Sequence, residues 1–452
     1  MPFHNVMSRS RPGSPRSLLC AMLASLVVAF APLPASAQTA VRVPAAVAGA
    51  QARAVDTARV RVREWVAKNN LPGASVAVGL DGGVVWAEGF GWADIEQRVP
   101  VTSLTRFRIG SVSKPLTSVA VGLLYERGKI DLDAPVQTYV PSFPKKRWPI
   151  STRQLMGHIA GVRHYRGDEF LSSKHYDNVL EGLEIFADDS LLFRPGTEYS
   201  YSTYGWNLVS AVVEAAAGEP FLDFMRREVF APLGLRHTVP GYMADIIPDR
   251  VRFYEHDKEG QLVNAPYVDN SYKWAGGGFL STPSDLVRFG FAMLDDDLLK
   301  PETRKMLWTP LQLESGKSTG YGLGWGVDEA DGHQVISHGG GSVGGTTAFM
   351  IIPEQRMVVA ITTNLTDAET GPIAKAVAEL FKPAGKADGH PAFGARARGA
   401  LLSPRRGHQT AGGRAASRSP TRCHDASTPN PRRDGRGCGA RARPASVQVT
   451  RR

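Results

Sequence analysis

Two blocks of strand-like sequence lie far apart in the chain, and the first follows a helical pattern. Apolar side chains recur three or four residues apart through residues 50–69, which predicts a helix. Pro72-Gly73 directly afterwards marks its end. Two apolar runs, residues 74–80 and 84–87, then flank Asp81-Gly82-Gly83. That arrangement predicts a β-hairpin.

The second block lies near the other end of the body of the chain. It consists of short apolar runs that predict strands, at residues 321–327, 335–337, 346–352 and 357–362. Pro353-Glu354-Gln355 predicts a turn between the last two runs. Residues 371–381 predict a closing helix, and Pro383 marks its stop.

The segment between the two blocks carries mainly helical patterns. One apolar stripe has helical spacing and consists of Leu116, Val119, Ala120, Leu123 and Leu124. Another helix is expected to begin at Thr282-Pro283-Ser284-Asp285, because a capping hydroxyl, a proline and an acid favour a helix start. Strands and helices do not alternate, which argues against a doubly wound parallel sheet. The prediction is an α/β fold of the α+β kind: one antiparallel sheet built from both ends, flanked by helices, with a helical lobe inserted at about residues 131–320.

The beginning of the chain has the pattern of a secretory signal. Three arginines precede an apolar run at residues 18–30, and Ala35-Ser36-Ala37 is a small-residue cleavage site. We expect residues 1–37 to be a signal peptide, 38–49 a linker and 50–383 the main folded domain. Export to a bacterial periplasm is the favoured interpretation, with a transit peptide or a retained anchor as alternatives. No membrane span is expected after cleavage, because no apolar run has the length of about 18 residues that a span needs.

The positive charge of the chain belongs to its ends. The net charge is +10, but residues 384–452 carry +12 and residues 1–37 carry +3, so the body is mildly acidic at −5. The tail has one aromatic residue, Phe393, among 14 arginines, and such a composition predicts disorder. RNA or anion binding by the tail is the alternative; we expect no nucleic-acid partner, because no aromatic residues for base stacking are interleaved with the arginines.

The cysteines are also confined to the ends. Cys20, Cys423 and Cys438 all lie outside residues 38–383. The body therefore has no disulfide, no thiol nucleophile and no cysteine-based metal site.

Ser111-Val112-Ser113-Lys114 is the first candidate for chemistry. It opens the amphipathic helix over residues 116–124, and a spacing of three residues places the hydroxyl and the amine on one helical face. The start of a helix favours a developing anion, and a buried lysine can act as a base. A helix cap with a surface lysine is the alternative. A second copy at Ser142–Lys145 lies in a proline-rich run and is set aside.

Two further motifs are weaker when taken alone. Tyr201-Ser202-Thr203 precedes an apolar stripe, and a phenol beside a lysine can relay a proton; the alternative is a core tyrosine. His338-Gly339-Gly340-Gly341 lies between strand-like runs, where glycines let a substrate approach a strand edge; the alternative is a flexible connection.

Two other patterns are rejected as sites. Ser342 lies in a G-x-S-x-G sequence, but a strand is expected after it and no suitable downstream histidine exists in the body. His158, His164 and Asp168 match no metal template. Packing or support of neighbouring site residues is the favoured role of both histidines, and no metal is expected.

Together the three motifs, in the order Ser111–Lys114, Tyr201 and His338–Gly340, resemble the penicillin-recognising serine hydrolases. That superfamily includes class C β-lactamases, D-Ala-D-Ala carboxypeptidases and related esterases. Longer runs are similar to the serine β-lactamase-like proteins, which have mitochondrial and bacterial members; these runs are residues 107–114, 161–165, 201–205 and 271–282. The resemblance spans about residues 50–382.

The resemblance implies an antiparallel sheet with a helical lobe and a site in the cleft between them. It implies that Ser111 is the acylated nucleophile, that Lys114 is the base or orients it, and that Tyr201 passes the proton to the leaving group. The backbone N–H groups of Ser111 and Gly341 would form the oxyanion hole. The implied substrate is a small peptide, amide or ester, with no metal or organic cofactor, and an oligomer remains open.

Two departures from the superfamily pattern bear on the substrate. Thr203 stands where many relatives have asparagine, and His338 stands where β-lactamases have lysine. A neutral imidazole binds a carboxylate less well than an ammonium. Both changes favour a peptidase or esterase, with a β-lactamase or D-Ala-D-Ala carboxypeptidase as one alternative and a catalytically silent peptide- or peptidoglycan-binding relative, or one that assembles with itself, as another.

Overall fold

The computed structural model describes residues 45–296 and 298–382. The α-helices in these residues are α1 (Ala45–Lys68), α2 (Ser113–Glu126), α3 (Thr152–Met156), α4 (Thr203–Ala217), α5 (Phe221–Phe224), α6 (Trp274–Gly277), α7 (Pro283–Leu294), α8 (Pro301–Trp308) and α9 (Thr370–Leu380). The strands are β1 (Gly73–Leu80), β2 (Gly83–Asp94), β3 (Val99–Pro100), β4 (Phe107–Arg108), β5 (Val239–Pro240), β6 (Tyr254–His256), β7 (Leu262–Asn264), β8 (Phe279–Ser281), β9 (Gly326–Ala330), β10 (His333–Ser342), β11 (Gly345–Ile352) and β12 (Met357–Thr363).

The expected signal peptide, the basic tail and the three cysteines lie outside the described residues, so the statements about them stay predictions. Within the described residues, no helix is both long and apolar enough to cross a membrane.

The main sheet joins the two ends of the body. Its seven strands have the order β3-β2-β1-β12-β11-β10-β9, and the neighbouring strands are antiparallel. The strand β1 pairs with β12 along its length, from Ala74 opposite Thr363 to Leu80 opposite Met357. The prediction of one antiparallel sheet assembled from both ends and flanked by helices is therefore confirmed.

Local sequence explains the sharp connections of this sheet. Asp81 and Gly82 between β1 and β2 have φ angles of 50° and 91°, the left-handed conformation that a tight hairpin turn requires. Thr282 caps α7 by accepting a hydrogen bond from the backbone N–H of Asp285, and Pro283 occupies the first turn. Both features follow the sequence-based expectation.

The sheet is buried on both faces. The helices α1 and α9 pack on one face through Val62 and Val377, against a cluster that contains Val76 from β1. The helix α7 packs on the other face, where Val287 belongs to the larger core that also contains α2 and α4. All seven residues of β12 are buried, as expected for a central strand covered by helices on both sides.

Three strand boundaries differ from the sequence-based expectation. The run at 321–327 is wrong as a single strand, because Gly324 has a φ of 97° and turns the chain before β9 begins at Gly326. The run at 335–337 extends to His333–Ser342, because β11 pairs with the glycines that follow. The run at 84–87 extends to Asp94.

The segment between residues 127 and 202 contains little regular helix, contrary to the mainly helical pattern expected between the sheet blocks. Its α-helix is the five-residue α3, and the rest consists of turns, short 3₁₀ turns and irregular chain. Side chains stabilise this irregular chain through backbone groups; for example, the His158 imidazole accepts a hydrogen bond from Ser202 N–H.

Candidate active site

Ser111 lies in a tight 3₁₀ turn that connects β4 with α2. The turn spans Gly110–Val112, so the α-helix itself begins two residues after the serine, at Ser113. Gly110 has a φ of 50°, a conformation that glycine adopts without strain. Ser111 is partly exposed, while its neighbours in the turn are buried.

Lys114 is fully buried in the first turn of α2 and points at this serine. Its Nζ lies 3.0 Å from Ser111 Oγ, 3.3 Å from Thr203 Oγ1 and 2.7 Å from the carbonyl oxygen of Gly276. No carboxylate in the described residues pairs with it. Burial, followed by the nearby charge of Lys273, holds the pKa of Lys114 well below its usual value, which makes the neutral amine available as a base.

Tyr201 lies immediately before α4, on the other side of this lysine. Lys114 Nζ is 4.8 Å from the centre of the Tyr201 ring. Burial raises the pKa of the Tyr201 phenol above its usual range, and a hydrogen bond from Ser111 opposes this rise. The phenol is therefore protonated at neutral pH, which is the state in which it can pass on a proton.

Two buried or half-buried histidines hold the Tyr201 segment in place. His158 Nδ1 accepts from Ser202 N–H at 3.1 Å, and His164 Nδ1 accepts from Thr203 N–H at 3.2 Å. The His158 ring also lies 4.1 Å from the Tyr201 ring. Burial, with Lys114 as the next cause, lowers the pKa of both imidazoles, to about 4 for His164.

The glycine run of β10 lies directly against the serine turn. A methyl group on Gly110 would come within 2.5 Å of Gly341 O and 2.8 Å of Gly341 N, and one on Gly340 would overlap the Ile109 carbonyl. Pairing with β9 ends at Ser337, which leaves the backbone edge of the glycines beside Ser111. Glycine is required here because two backbones approach too closely for side chains.

His338 is buried, and both of its ring nitrogens are engaged within the protein. Nδ1 lies 2.6 Å from the carbonyl oxygen of Gly339 and must donate to it, so Nε2, at 2.8 Å, accepts from the hydroxyl of Tyr321. Burial, with Lys114 as the next cause, lowers the pKa of His338 to about 3. The imidazole is neutral and has no free nitrogen for a substrate, which differs from the substrate-binding role expected from sequence.

Two contributors to the site were not singled out from sequence. The Gly276 carbonyl reaches Lys114 because α6 packs against α4 so closely that a methyl on Gly276 would lie 2.6 Å from Thr203 Cγ2. Lys273, just before α6, places a second buried amine near Lys114. The glycine run at residues 276–278 was the available signal for the first; Lys273 has no spacing relation to Ser111.

The rejected patterns occupy other positions. Ser342 is buried in β10, its hydroxyl has no hydrogen-bond partner among the described residues, and a strand follows it. Asp168 is exposed. Within residues 45–296 and 298–382, no cluster of three His, Cys, Asp or Glu side chains could hold a metal ion.

The arrangement brings a hydroxyl, a base, a proton donor and a backbone edge together around Lys114. Lys114 contacts Ser111, Thr203 and the Tyr201 ring. Gly340 and Gly341 abut the serine turn, whereas His338 is bonded to Tyr321. A hydroxyl beside a neutral amine is the geometry of an activated nucleophile. Backbone N–H groups at the start of a helix and on a strand edge can stabilise the anion that forms in acyl transfer.

This fold and this constellation are those of a serine hydrolase, and comparison with known proteins agrees. The sequence model of the beta-lactamase family matches residues 58–381. The chain therefore belongs to the beta-lactamase family of serine hydrolases.

Relatives within the family differ in their named activities. The chain is 35% identical over 404 residues to the mitochondrial serine beta-lactamase-like protein LACTB of Bos taurus, covering 67% of this chain and 72% of that protein. It is 26% identical over 298 residues to a D-aminopeptidase of Gluconobacter oxydans, covering 65% and 56% respectively.

A solved structure shares the same fold. The octameric penicillin-binding protein homologue from Pyrococcus abyssi superposes with a TM-score of 0.64 at 26% identity, over 72% of this chain and 77% of that chain.

Proposed function

We propose that this chain is an exported hydrolase of small peptides, amides or esters that works through an acyl-enzyme on Ser111. The observation that carries the proposal is the buried amine of Lys114, 3.0 Å from Ser111 Oγ and without a carboxylate partner among the described residues. A lysine kept only for structure would gain from an acidic partner, because burying an unpaired ammonium is costly. A lysine that acts as a base gains from the absence of an acidic partner, because its neutral form is then favoured.

The acylation step follows from these contacts. Ser111 Oγ attacks the substrate carbonyl carbon while its proton passes to the neutral Lys114 Nζ, and the carbonyl π electrons move onto the oxygen. The backbone N–H groups of Ser111 and Gly341 stabilise that oxyanion. When the tetrahedral intermediate collapses, the bond to the amine or alcohol breaks. Tyr201 donates its phenolic proton to the leaving group and recovers one from Lys114.

Deacylation uses the same groups in reverse. Water attacks the acyl-Ser111 carbonyl, and its proton passes through Tyr201 and Lys114. The bond between the acyl carbon and Ser111 Oγ then breaks, the acid is released, and Lys114 returns the proton to the serine oxygen. Lys114 thus acts first as a base and later as an acid, as microscopic reversibility requires.

Peptide, amide or ester hydrolysis is favoured over efficient β-lactam hydrolysis by the state of His338. Its imidazole is neutral and bonded to Tyr321 and Gly339, so it supplies no cation at the position where β-lactamases carry lysine. The naming of one relative as a D-aminopeptidase agrees with an amide substrate. A silent binding protein is disfavoured by the retained contact between Ser111 and Lys114.

Labelling tests the nucleophile. A fluorophosphonate should form one adduct on Ser111, located by peptide mass mapping, and Ser111→Ala should abolish both labelling and turnover of p-nitrophenyl esters. Ser142→Ala is the matched control, because Ser142 begins the other S-x-x-K sequence and is exposed. An adduct that persists in Ser111→Ala, or turnover that does not depend on Ser111, would refute the assignment.

Export to the periplasm is tested separately. In a bacterial host the mature protein should appear in the periplasmic fraction with Gln38 as its first residue, because cleavage is expected after Ala37. A cytoplasmic protein that retains residues 1–37 would contradict this part of the proposal.

A further inference from the structure

Lys273 is a second buried lysine in the candidate site, and the reaction steps above do not use it. It ends a 3₁₀ turn directly before α6 and is only 2% exposed. A methyl group placed on Gly277 would lie 3.7 Å from Lys273 Cδ and 3.6 Å from the carbonyl carbon of Gly110. The side chain therefore runs beside the residue that precedes Ser111.

The Lys273 amine lies among aromatic rings and has no anionic partner. Its Nζ is 4.4 Å from the ring centre of Phe170, 5.1 Å from that of Tyr272 and 5.3 Å from that of Tyr165. No hydrogen bond or ion pair to it occurs among the described residues. Aromatic faces attract a cation, but they do not accept the three hydrogen bonds that an ammonium offers.

Neighbouring buried cations have hydrogen-bond or ion-pair partners within the protein, whereas Lys273 has none among the described residues. Arg163 pairs with Glu169 and Asp189, and Arg108 donates to the Val343 and Val268 carbonyls. Nearby acids are already engaged, since Glu169 is held by Arg163. A buried ammonium left without an acceptor is costly, so the arrangement is explained if a ligand supplies one.

The other basic side chains of the site offer no cation to a substrate. His338, at the strand position where β-lactamases have lysine, is neutral and bonded through both nitrogens. His158 and His164 are held neutral by burial. Lys114 is required as a base. Among the described residues that form the site, Lys273 is thus the cation left to meet a substrate anion.

We propose that Lys273 is a specificity-determining residue that binds a carboxylate of the substrate, so that the enzyme prefers acidic substrates over their neutral counterparts. The proposal rests on the proposed hydrolase function, because it concerns the substrate of the same cleft. The cation that β-lactamases carry as a lysine on the glycine strand would in this chain be supplied by Lys273, in the turn before α6. Burial, with Arg108 as a further cause, lowers the pKa of Lys273 to about 7, and a bound carboxylate would favour its charged form.

Matched substrates test the preference. The mono-p-nitrophenyl ester of adipic acid is compared with that of adipamic acid, which replaces the free carboxylate by an isosteric amide. A second pair, the butyrate esters of 4-hydroxybenzoic acid and 4-hydroxybenzamide, places the carboxylate on the leaving group. Lys273→Met removes the charge, and Lys273→Arg retains it. Lys174→Met is the control, because Lys174 is exposed and its Nζ lies 4.6 Å from the ring centre of Tyr176.

We expect the wild type and Lys174→Met to prefer the acid in at least one pair. Lys273→Met should lower the ratio of kcat/KM for that acid to kcat/KM for its neutral counterpart by about 10- to 100-fold, as for loss of a charged hydrogen bond. Any effect of the lost charge on the pKa of Lys114 falls on both esters and cancels in this ratio. Lys273→Arg should restore part of the preference. Equal losses on acid and amide, or no acid preference in either pair, would overturn the proposal while leaving Ser111-dependent turnover intact.

A binding measurement separates this proposal from the hydrolase function. Calorimetric titration of Ser111→Ala with adipamate and with adipamide should show tighter binding of the carboxylate, and adding Lys273→Met should remove the difference. Failure of all turnover together with retained, Lys273-dependent adipamate binding would refute the hydrolase function alone. Binding of adipamate that is no tighter than that of adipamide, or that Lys273→Met does not weaken, would refute the role of Lys273. Circular dichroism confirms that each variant is folded.

Discussion

Replacing Gly110 by alanine tests whether close contact between the serine turn and the glycine strand sets the activity. The added methyl would lie 2.5 Å from Gly341 O and 2.8 Å from Gly341 N, whereas ordinary contact begins at 3.4 Å. The strand must therefore move away from the turn by about 0.9 Å. A displacement of about 1 Å at reacting groups can lower a rate about 100-fold, so we expect a loss of that order in kcat/KM.

The left-handed backbone of Gly110 adds a second effect that needs its own control. Alanine at a φ of 50° costs about 1 kcal/mol of stability wherever it occurs. Gly128, after α2, has a φ of 66°, and a methyl group there would meet no atom within 4 Å. Gly128→Ala should therefore lose similar stability and keep its activity.

The assay combines urea unfolding with ester hydrolysis and fluorophosphonate labelling of Ser111. Both variants should unfold at a lower urea concentration than the wild type. Only Gly110→Ala should show slow acylation of Ser111. A folded Gly110→Ala protein with wild-type kcat/KM would refute the argument that the two backbones define the site. An equal activity loss in Gly128→Ala would assign the effect to stability instead.

Three further predictions concern the lysines. Lys114→Ala should lower the rate of Ser111 acylation about 100-fold or more because the base is lost, while Lys145→Ala, in the other S-x-x-K sequence, should leave it unchanged; similar rates for both would remove Lys114 from the mechanism. Thr203→Val should slow labelling by about 3- to 10-fold, since it removes one acceptor of Lys114; a loss as large as that of Lys114→Ala would show a larger role. Because burial lowers the pKa of Lys273 from 10.5 to about 7, the unfolded chain binds a proton between these pH values that the folded chain lacks, so stability should rise with pH there. Urea unfolding should show that the free energy of unfolding of the wild type, relative to that of Lys273→Met, rises by up to about 1.4 kcal/mol per pH unit. A difference between the two proteins that does not change with pH would contradict the lowered pKa.

The sheet could be predicted from sequence because its signals are local. Asp81-Gly82 specifies a tight turn, and the apolar runs on either side of Pro353 specify strands. The buried loop before β9 was read as a strand because Tyr321, Leu323 and Trp325 alternate with less apolar residues. Their burial is real, but Gly324 has a left-handed φ angle that bends the chain, and a methyl group there would lie 2.7 Å from the Trp206 ring.

Spacing along the chain indicates the candidate site only where its groups share one element, and Tyr201 and Gly341 were identified through the family resemblance instead. Ser111 and Lys114 are three residues apart on one turn, so their contact follows from helical geometry. The Gly276 carbonyl is a backbone group, which carries no side-chain signature. Lys273 reaches the site through the packing of α6 on α4, and the engagement of His338 depends on Tyr321 in an irregular loop. Tertiary packing determines these contacts, and spacing along the chain does not reveal them.

The pairing of β1 with β12 also determines when the protein can fold. Thr363 Oγ1 donates to the Gly73 carbonyl across 290 positions of sequence, so the middle of the sheet stays open until nearly the whole hydrolase domain has left the ribosome. Until then β1 and β2 form an isolated hairpin with an apolar face, which is marginally stable in water. A nascent chain in this state is still unfolded enough to pass through a narrow channel. It can adopt the native fold only after β12, the last strand of the sheet, has emerged.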